Sequence, residues 1–223
     1  MADSKTAARA AFVADAVIRR DQIVSNARAL IAAPSPNPPL STRAVAAVAE
    51  DLLGKQALGV ELSLHDAGEG VVNLVARVKG NGLGPRLVMS GHLDTYPVNE
   101  ALPWTVDPFG GELREGRLYG RGAADMKGGI AASMSALALV AEHRTMWRGE
   151  AVLALAGDEE SMGERGTQWL IDNVPQVACD AVIIGCRLAM CRSLRRERIL
   201  VDRTGGARQA GPRRSRPPRH QRD

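Results

Sequence analysis

Three short stretches bring carboxylates and an imidazole together at spacings that suit metal binding or proton transfer. In Gly91-His-Leu-Asp94 the two functional residues are two apart, so on an extended backbone they share a side. The carboxylate can then fix the tautomer of the ring and leave the other ring nitrogen for a metal; a solvent-facing His–Asp pair at a strand end is the alternative. Gly120-Arg-Gly-Ala-Ala-Asp-Met-Lys-Gly-Gly129 places a carboxylate at the mouth of a helix rich in small residues. Such a loop can cradle phosphate, but Lys127 is followed by Gly128 rather than Ser or Thr and the glycine spacing departs from the Walker pattern, which disfavours nucleotide binding. Asp125 as a plain helix cap stays open at this point. Gly157-Asp-Glu-Glu160 sets three carboxylates in a row. They repel one another, and a cation beside them relieves that repulsion while leaving one group to move a proton. An acidic first turn favoured by the helix dipole is the other reading.

The elements around these stretches alternate between strand and helix. Apolar residues recur at helical spacing from Ala11 to Ala32, and the proline-rich segment Pro34 to Leu40 must be a loop before a second helix that starts at a Ser41 or Thr42 cap and runs to about Gln56. Val60 to His65 and Val71 to Val78 read as neighbouring strands or a hairpin, Arg86 to Ser90 as a short strand, and Glu112 to Tyr119 as a small hairpin. Asp125 to Glu142 follows helical spacing, with Ala, Gly and Ser on its other faces that suit burial on several sides. Ala151 to Leu155 and Ala181 to Ile184 read as buried strands flanking a helix over Arg165 to Asn173. This alternation predicts an α/β sandwich on a largely parallel or mixed sheet, with each functional stretch just after a strand or at a helix entrance.

Charge divides the chain in two. The net charge of +4 averages a segment over 186–223, with twelve Arg, no Lys and three acids, against 17 basic and 22 acidic side chains in the first 185 residues. The basic segment has little hydrophobic periodicity, and Gly211 to Arg219 is predicted to be disordered. No stretch approaches the roughly 18 uncharged apolar residues of a membrane span, and Asp3 and Asp15 stand where a signal peptide wants none, so a soluble, cytoplasmic protein is expected. Three cysteines, Cys179, Cys186 and Cys191, do not make a disulfide framework.

Taken together, Met89-Ser-Gly-His-Leu-Asp-Thr95, Leu118 to Gly129 and Gly157-Asp-Glu-Glu160 resemble, in order and separation, the signatures of the acetylornithine deacetylase, succinyl-diaminopimelate desuccinylase, aminoacylase and carboxypeptidase G family of di-zinc hydrolases. Pro34 to Pro39 is similar to the family's N-terminal loop. The resemblance covers residues 11–185 and implies the N-terminal part of a three-layer α/β/α zinc-peptidase-like catalytic domain, truncated and without the inserted lid domain. It implies His92 as ligand to one of two Zn2+ ions, with Co2+ as a substitute, Asp94 as its orienting partner, Asp125 as the bridging carboxylate, Glu160 as ligand to the other ion and Glu159 as general base. Two zinc ions about 3.5 to 4 Å apart acidify a shared water, and Glu159 would take its proton during attack on a peptide or N-acyl amino acid amide.

The resemblance ends at Gly185. There the family carries an acidic ligand, then a lid through which it is usually homodimeric, and later a histidine ligand; this chain has Cys186 and the arginine-rich segment. A thiolate at Cys186 is a chemically competent replacement. A frame change near codon 186 is the other expectation, with 1–185 as the catalytic part, 186–223 as an artefact, and the activity of the chain in doubt. Two other functions compete with a small-molecule amidohydrolase: nucleic-acid binding through the basic segment, disfavoured because the segment has no aromatic residues for base stacking, and a catalytically dead family member. His65 and His143 are expected to be ordinary surface residues.

Overall fold

The structure is a computed structural model that describes residues 12–39, 41–99, 101 and 103–185, all within the compact unit Met1–Cys191. Cys186 and the arginine-rich segment lie outside the described residues, as do the expectations placed on them. Residues 12–18 are helical, a turn at Arg19 follows, and helix α1 spans Arg20–Ile31. After the proline loop come helix α2 (Arg43–Gln56), strands β1 (Glu61–Gly68), β2 (Val71–Lys79) and β3 (Arg86–His92), and a small hairpin of β4 (Glu112–Arg114) and β5 (Arg117–Tyr119). Helix α3 (Gly128–Glu142), β6 (Glu150–Ala156), helix α4 (Thr167–Asn173) and β7 (Ala181–Ile184) complete the described chain.

Five strands form one sheet in the order β1-β2-β6-β3-β7. β1 and β2 are antiparallel, as are β2 and β6, whereas β3 runs parallel to both β6 and β7. The sheet is therefore mixed, and its parallel part carries the functional stretches. Side-chain alternation sorts the core onto two faces. Leu74 and Ala76 of β2 and Leu153 and Leu155 of β6 pack with Leu30, Val45, Leu53, Met134 and Leu137 from α1, α2 and α3. Val75, Val88, Val152 and Ala154 point the other way, toward Leu170 of α4 and Val174. Three layers result, and β2 is buried along most of its length because both its faces are covered.

Two local expectations change. Thr42 precedes α2 but makes no side-chain cap; its hydroxyl donates to the Val72 carbonyl and accepts from the Val72 N–H, tying the helix start to β2. The helix expected from Asp125 starts instead at Gly128, since Asp125 (φ −127°, ψ 96°) and Met126 (φ −135°, ψ 30°) are extended or intermediate in backbone shape. Asp125 is thus a loop residue and not a cap. Burial of α3 on several sides is as expected: Ile130, Ala131, Met134, Leu137, Ala138 and Ala141 are all buried. Among the described residues no helix is long and apolar enough to cross a membrane.

Candidate metal centre

The site lies at the carboxyl ends of parallel strands β3 and β6, where the backbone of each strand stops and its next residues turn outward. His92 is the last residue of β3, paired with Ala156 at the end of β6, and the segment after β6 delivers Asp158, Glu159 and Glu160. Gly91 beside it packs closely under the Met126 side chain: a Cβ there would lie 2.9 Å from the Met126 methyl group, which would have to move aside. Met126 Sδ in turn accepts from the His92 backbone N–H at 3.3 Å, which sets the loop carrying Asp125 against the end of β3.

One donor atom from each of His92, Asp125 and Glu160 lies within 4.8 Å of the others. His92 Nε2 is 3.1 Å from Asp125 Oδ1 and 3.8 Å from Glu159 Oε2. Its Nδ1 is 3.0 Å from the Asp94 carbonyl and 3.5 Å from Asp94 Oδ1, so the nearer partner is the main chain two residues on and not the carboxylate alone. The carbonyl fixes the proton on Nδ1 and turns Nε2 into the cluster, with the Asp94 carboxylate adding its charge from 3.5 Å. Glu160 Oε1 accepts from the Tyr96 N–H at 3.0 Å. Asp94 is fully buried; its Oδ2 accepts from the N–H groups of Glu159 and Glu160, both at 2.9 Å, while Oδ1 has no hydrogen-bond donor. The structure thus brings all five expected residues together, with Asp94 beneath and Glu159 beside the other three.

Electrostatics follow the crowding. Burial disfavours the His92 imidazolium, but Asp94, Glu159 and Asp125 outweigh that and raise its pKa to about 9. Burial raises the Glu160 carboxyl above the usual range, with Asp125 and Asp94 adding to the effect. Burial also works against the Asp94 carboxylate, yet His92, Asn37 and the two backbone donors hold its pKa below the ordinary value. Such a cluster, one imidazole and two carboxylates with further negative charge behind them, has the nitrogen and oxygen donors and the charge that suit a divalent cation such as zinc.

Two further buried side chains, to which the sequence assigned no role, support this cluster. Lys127 is 1% exposed and donates from Nζ to the Ala33 carbonyl at 2.8 Å, pinning the Asp125 loop to the proline loop; burial lowers its pKa to about 8. The proline loop also runs beside residues 93–95: Thr95 N–H donates to Ser35, Asn37 N–H donates to Thr95, and Ser35 Oγ donates to Leu93. Asn37 then reaches the Asp94 carboxylate. His65 and His143 lie elsewhere, the first bonded to Ser63 and the second to Asp15.

Residues 88–192 match the peptidase family M20/M25/M40. A succinyl-diaminopimelate desuccinylase of Rhodospirillum centenum is 44% identical over 119 residues, which is 52% of this chain and 30% of that protein. One from Methylorubrum extorquens is 46% identical over 103 residues, 46% of this chain and 26% of that protein. The chain therefore spans under a third of the length of these curated relatives. Among solved structures, an M20 family metallo-carboxypeptidase from Sulfolobus solfataricus superposes with a TM-score of 0.64 at 22% identity over 73% of this chain and 37% of that one. A dinuclear metal-binding M20 peptidase from Bacillus subtilis gives 0.54 at 16% identity over 74% and 42%. The fold is that of the M20 catalytic domain over the part these structures share. Over residues 88–192, then, this chain is similar to peptidase family M20/M25/M40, and the curated relatives that it matches are named succinyl-diaminopimelate desuccinylases.

Proposed function

We propose that this chain carries the first half of a metal-dependent amide hydrolase site, with zinc as the resident metal and N-acyl amino acids, N-succinyl ones foremost, or short peptides as the substrate class. The observation that carries the reading is the convergence of His92, Asp125 and Glu160 at the strand ends with the Glu159 carboxylate 3.8 Å from His92 Nε2. The match to the family over residues 88–192 and the names of the relatives support the reaction class and the succinyl preference. His92, Asp125 and Glu160 would hold the metal. When bound, a divalent cation supplies Lewis acidity toward the amide carbonyl and acidifies water near neutral pH.

The remaining chemistry belongs to the chain's own groups. Glu159, with its side chain 56% exposed, faces the side from which solvent and substrate arrive and serves as the general base, taking the proton of the attacking water and returning it to the departing amine nitrogen. Asp94 anchors Glu159 and Glu160 through their backbone N–H groups and holds His92 in register. The experiment is hydrolysis of N-succinyl and N-acetyl amino acids and dipeptides by the metal-loaded full chain. Metal-dependent release of amine that falls by about 100-fold or more in Glu159→Gln, with metal still bound, is the expected result. Release that survives Glu159→Gln unchanged overturns the role of Glu159.

A further inference from the structure

We propose that Asn37 is a positioning residue for the metal site, holding two buried carboxylates in place with a single amide; the inference rests on the proposed metal reading. Asn37 is 4% exposed, and its Nδ2 lies 2.9 Å from Asp94 Oδ2 and 3.0 Å from Asp158 Oδ1. A carboxamide nitrogen carries two N–H donors, one for each carboxylate. The third neighbour, Ser161 Oγ at 3.2 Å, spends its own proton on Asp158 Oδ1 at 2.7 Å. Asp94 is fully buried and Asp158 is 5% exposed, so without donors between them two like charges would face each other in a poorly solvated space.

Each carboxylate then governs part of the site. Asp94 Oδ2 receives Asn37 together with the N–H groups of Glu159 and Glu160, so the same oxygen fixes the amide and the turn that aims both glutamates. Asp158 receives Ser161 and the Arg165 N–H, which closes the segment following Glu160. That closure is tight: a Cβ on Gly163 would fall 1.7 Å from Asp158 Oδ2. Asn37 is itself held by its N–H to the Thr95 carbonyl at 2.9 Å, so the proline loop carries a fixed donor pair into the base of the site. Asn37 touches no ligand atom of the proposed metal and acts through Asp94 and the Glu159–Glu160 turn.

The test titrates the full chain with Co2+, read by visible absorption, beside thermal unfolding of the metal-free protein. N37A is expected to weaken Co2+ binding by about 10- to 100-fold. N37D, which keeps the shape but replaces the donors with a third carboxylate, is expected to lose at least as much. N37T keeps one donor and should fall between N37A and the unaltered chain, which preserves the comparison if N37A does not fold. S35A is the control on the same loop: it loses the bond to the Leu93 carbonyl and should melt earlier with Co2+ affinity unchanged. Unaltered affinity in N37A or, should N37A not fold, in N37T overturns the proposal while leaving the metal reading intact, and so does an equal loss in S35A. A chain that binds no Co2+ before any substitution overturns both.

Discussion

His92 and Lys127 are the buried cations of the site, and their shifts oppose each other. The His92 pKa rises from 6.5 to about 9, so between those values the folded chain holds a proton that the unfolded chain has lost, and stability falls as pH rises. Lys127 drops from 10.5 to about 8, so between those values the unfolded chain holds the extra proton and stability climbs with pH. With chelator present, denaturant midpoints should fall from about pH 6.5 to 8, level out to about pH 9 where the two effects cancel, and recover above it. A midpoint that rises steadily from pH 6.5 to 8 contradicts the packing of carboxylates around His92. His92, Asp125, Glu159 and Glu160 were legible in the sequence because they stand in three short motifs whose order and separation carry the family resemblance. The part of Asn37 was not: Asn37 lies between prolines, and its carboxylate partners are 57 and 121 residues away, a relation that no local pattern encodes, and the same holds for the relation of Lys127 to the distant Ala33 carbonyl. The nearness of the Asp94 carbonyl to His92 Nδ1 is likewise a matter of backbone path and not of residue type.

At the scale of elements, periodicity located every strand of the sheet and helices α1 to α4 among the described residues, and the errors fall at helix starts. Asp125 reads as a first helical residue because small residues follow it, but the loop must deliver its carboxylate to His92 before the helix begins. The start of α3 also packs against the end of β7. A Cβ on Gly129 would lie 1.9 Å from the Gly185 carbonyl oxygen, so the glycine is required by close approach. Gly→Ala within a helix ordinarily stabilises by about 0.5–1 kcal/mol; at Gly129 the sign should reverse, with a loss of about 1–3 kcal/mol in denaturant unfolding as α3 and β7 are forced apart. An unchanged or increased midpoint in Gly129→Ala contradicts that contact. Gly157 presents the same constraint after β6, where a Cβ would meet the Val72 carbonyl at 2.8 Å.

Across the whole molecule, the core concentrates where three helices cover one face of the sheet, and Leu137 at its centre is fully buried. Leu137→Ala should cost about 2–5 kcal/mol by chemical denaturation, and a loss below 1 kcal/mol would show that α3 is not packed as described. The opposite edge differs. β7 is an edge strand among the described residues, and Val182, Ile183 and Ile184 are 44%, 46% and 67% exposed. An apolar edge with unpaired backbone groups invites pairing, so light scattering should detect concentration-dependent association that Ile184→Lys reduces. Scattering that is independent of concentration in the unaltered chain contradicts this. The central claim is that His92, Asp125 and Glu160 form a metal site, and stoichiometric Co2+ or Zn2+ binding to the full chain tests it most directly. Binding that is lost in each of His92→Ala, Asp125→Ala and Glu160→Ala but kept in His65→Ala is the predicted result; no binding, or binding indifferent to all three substitutions, contradicts it.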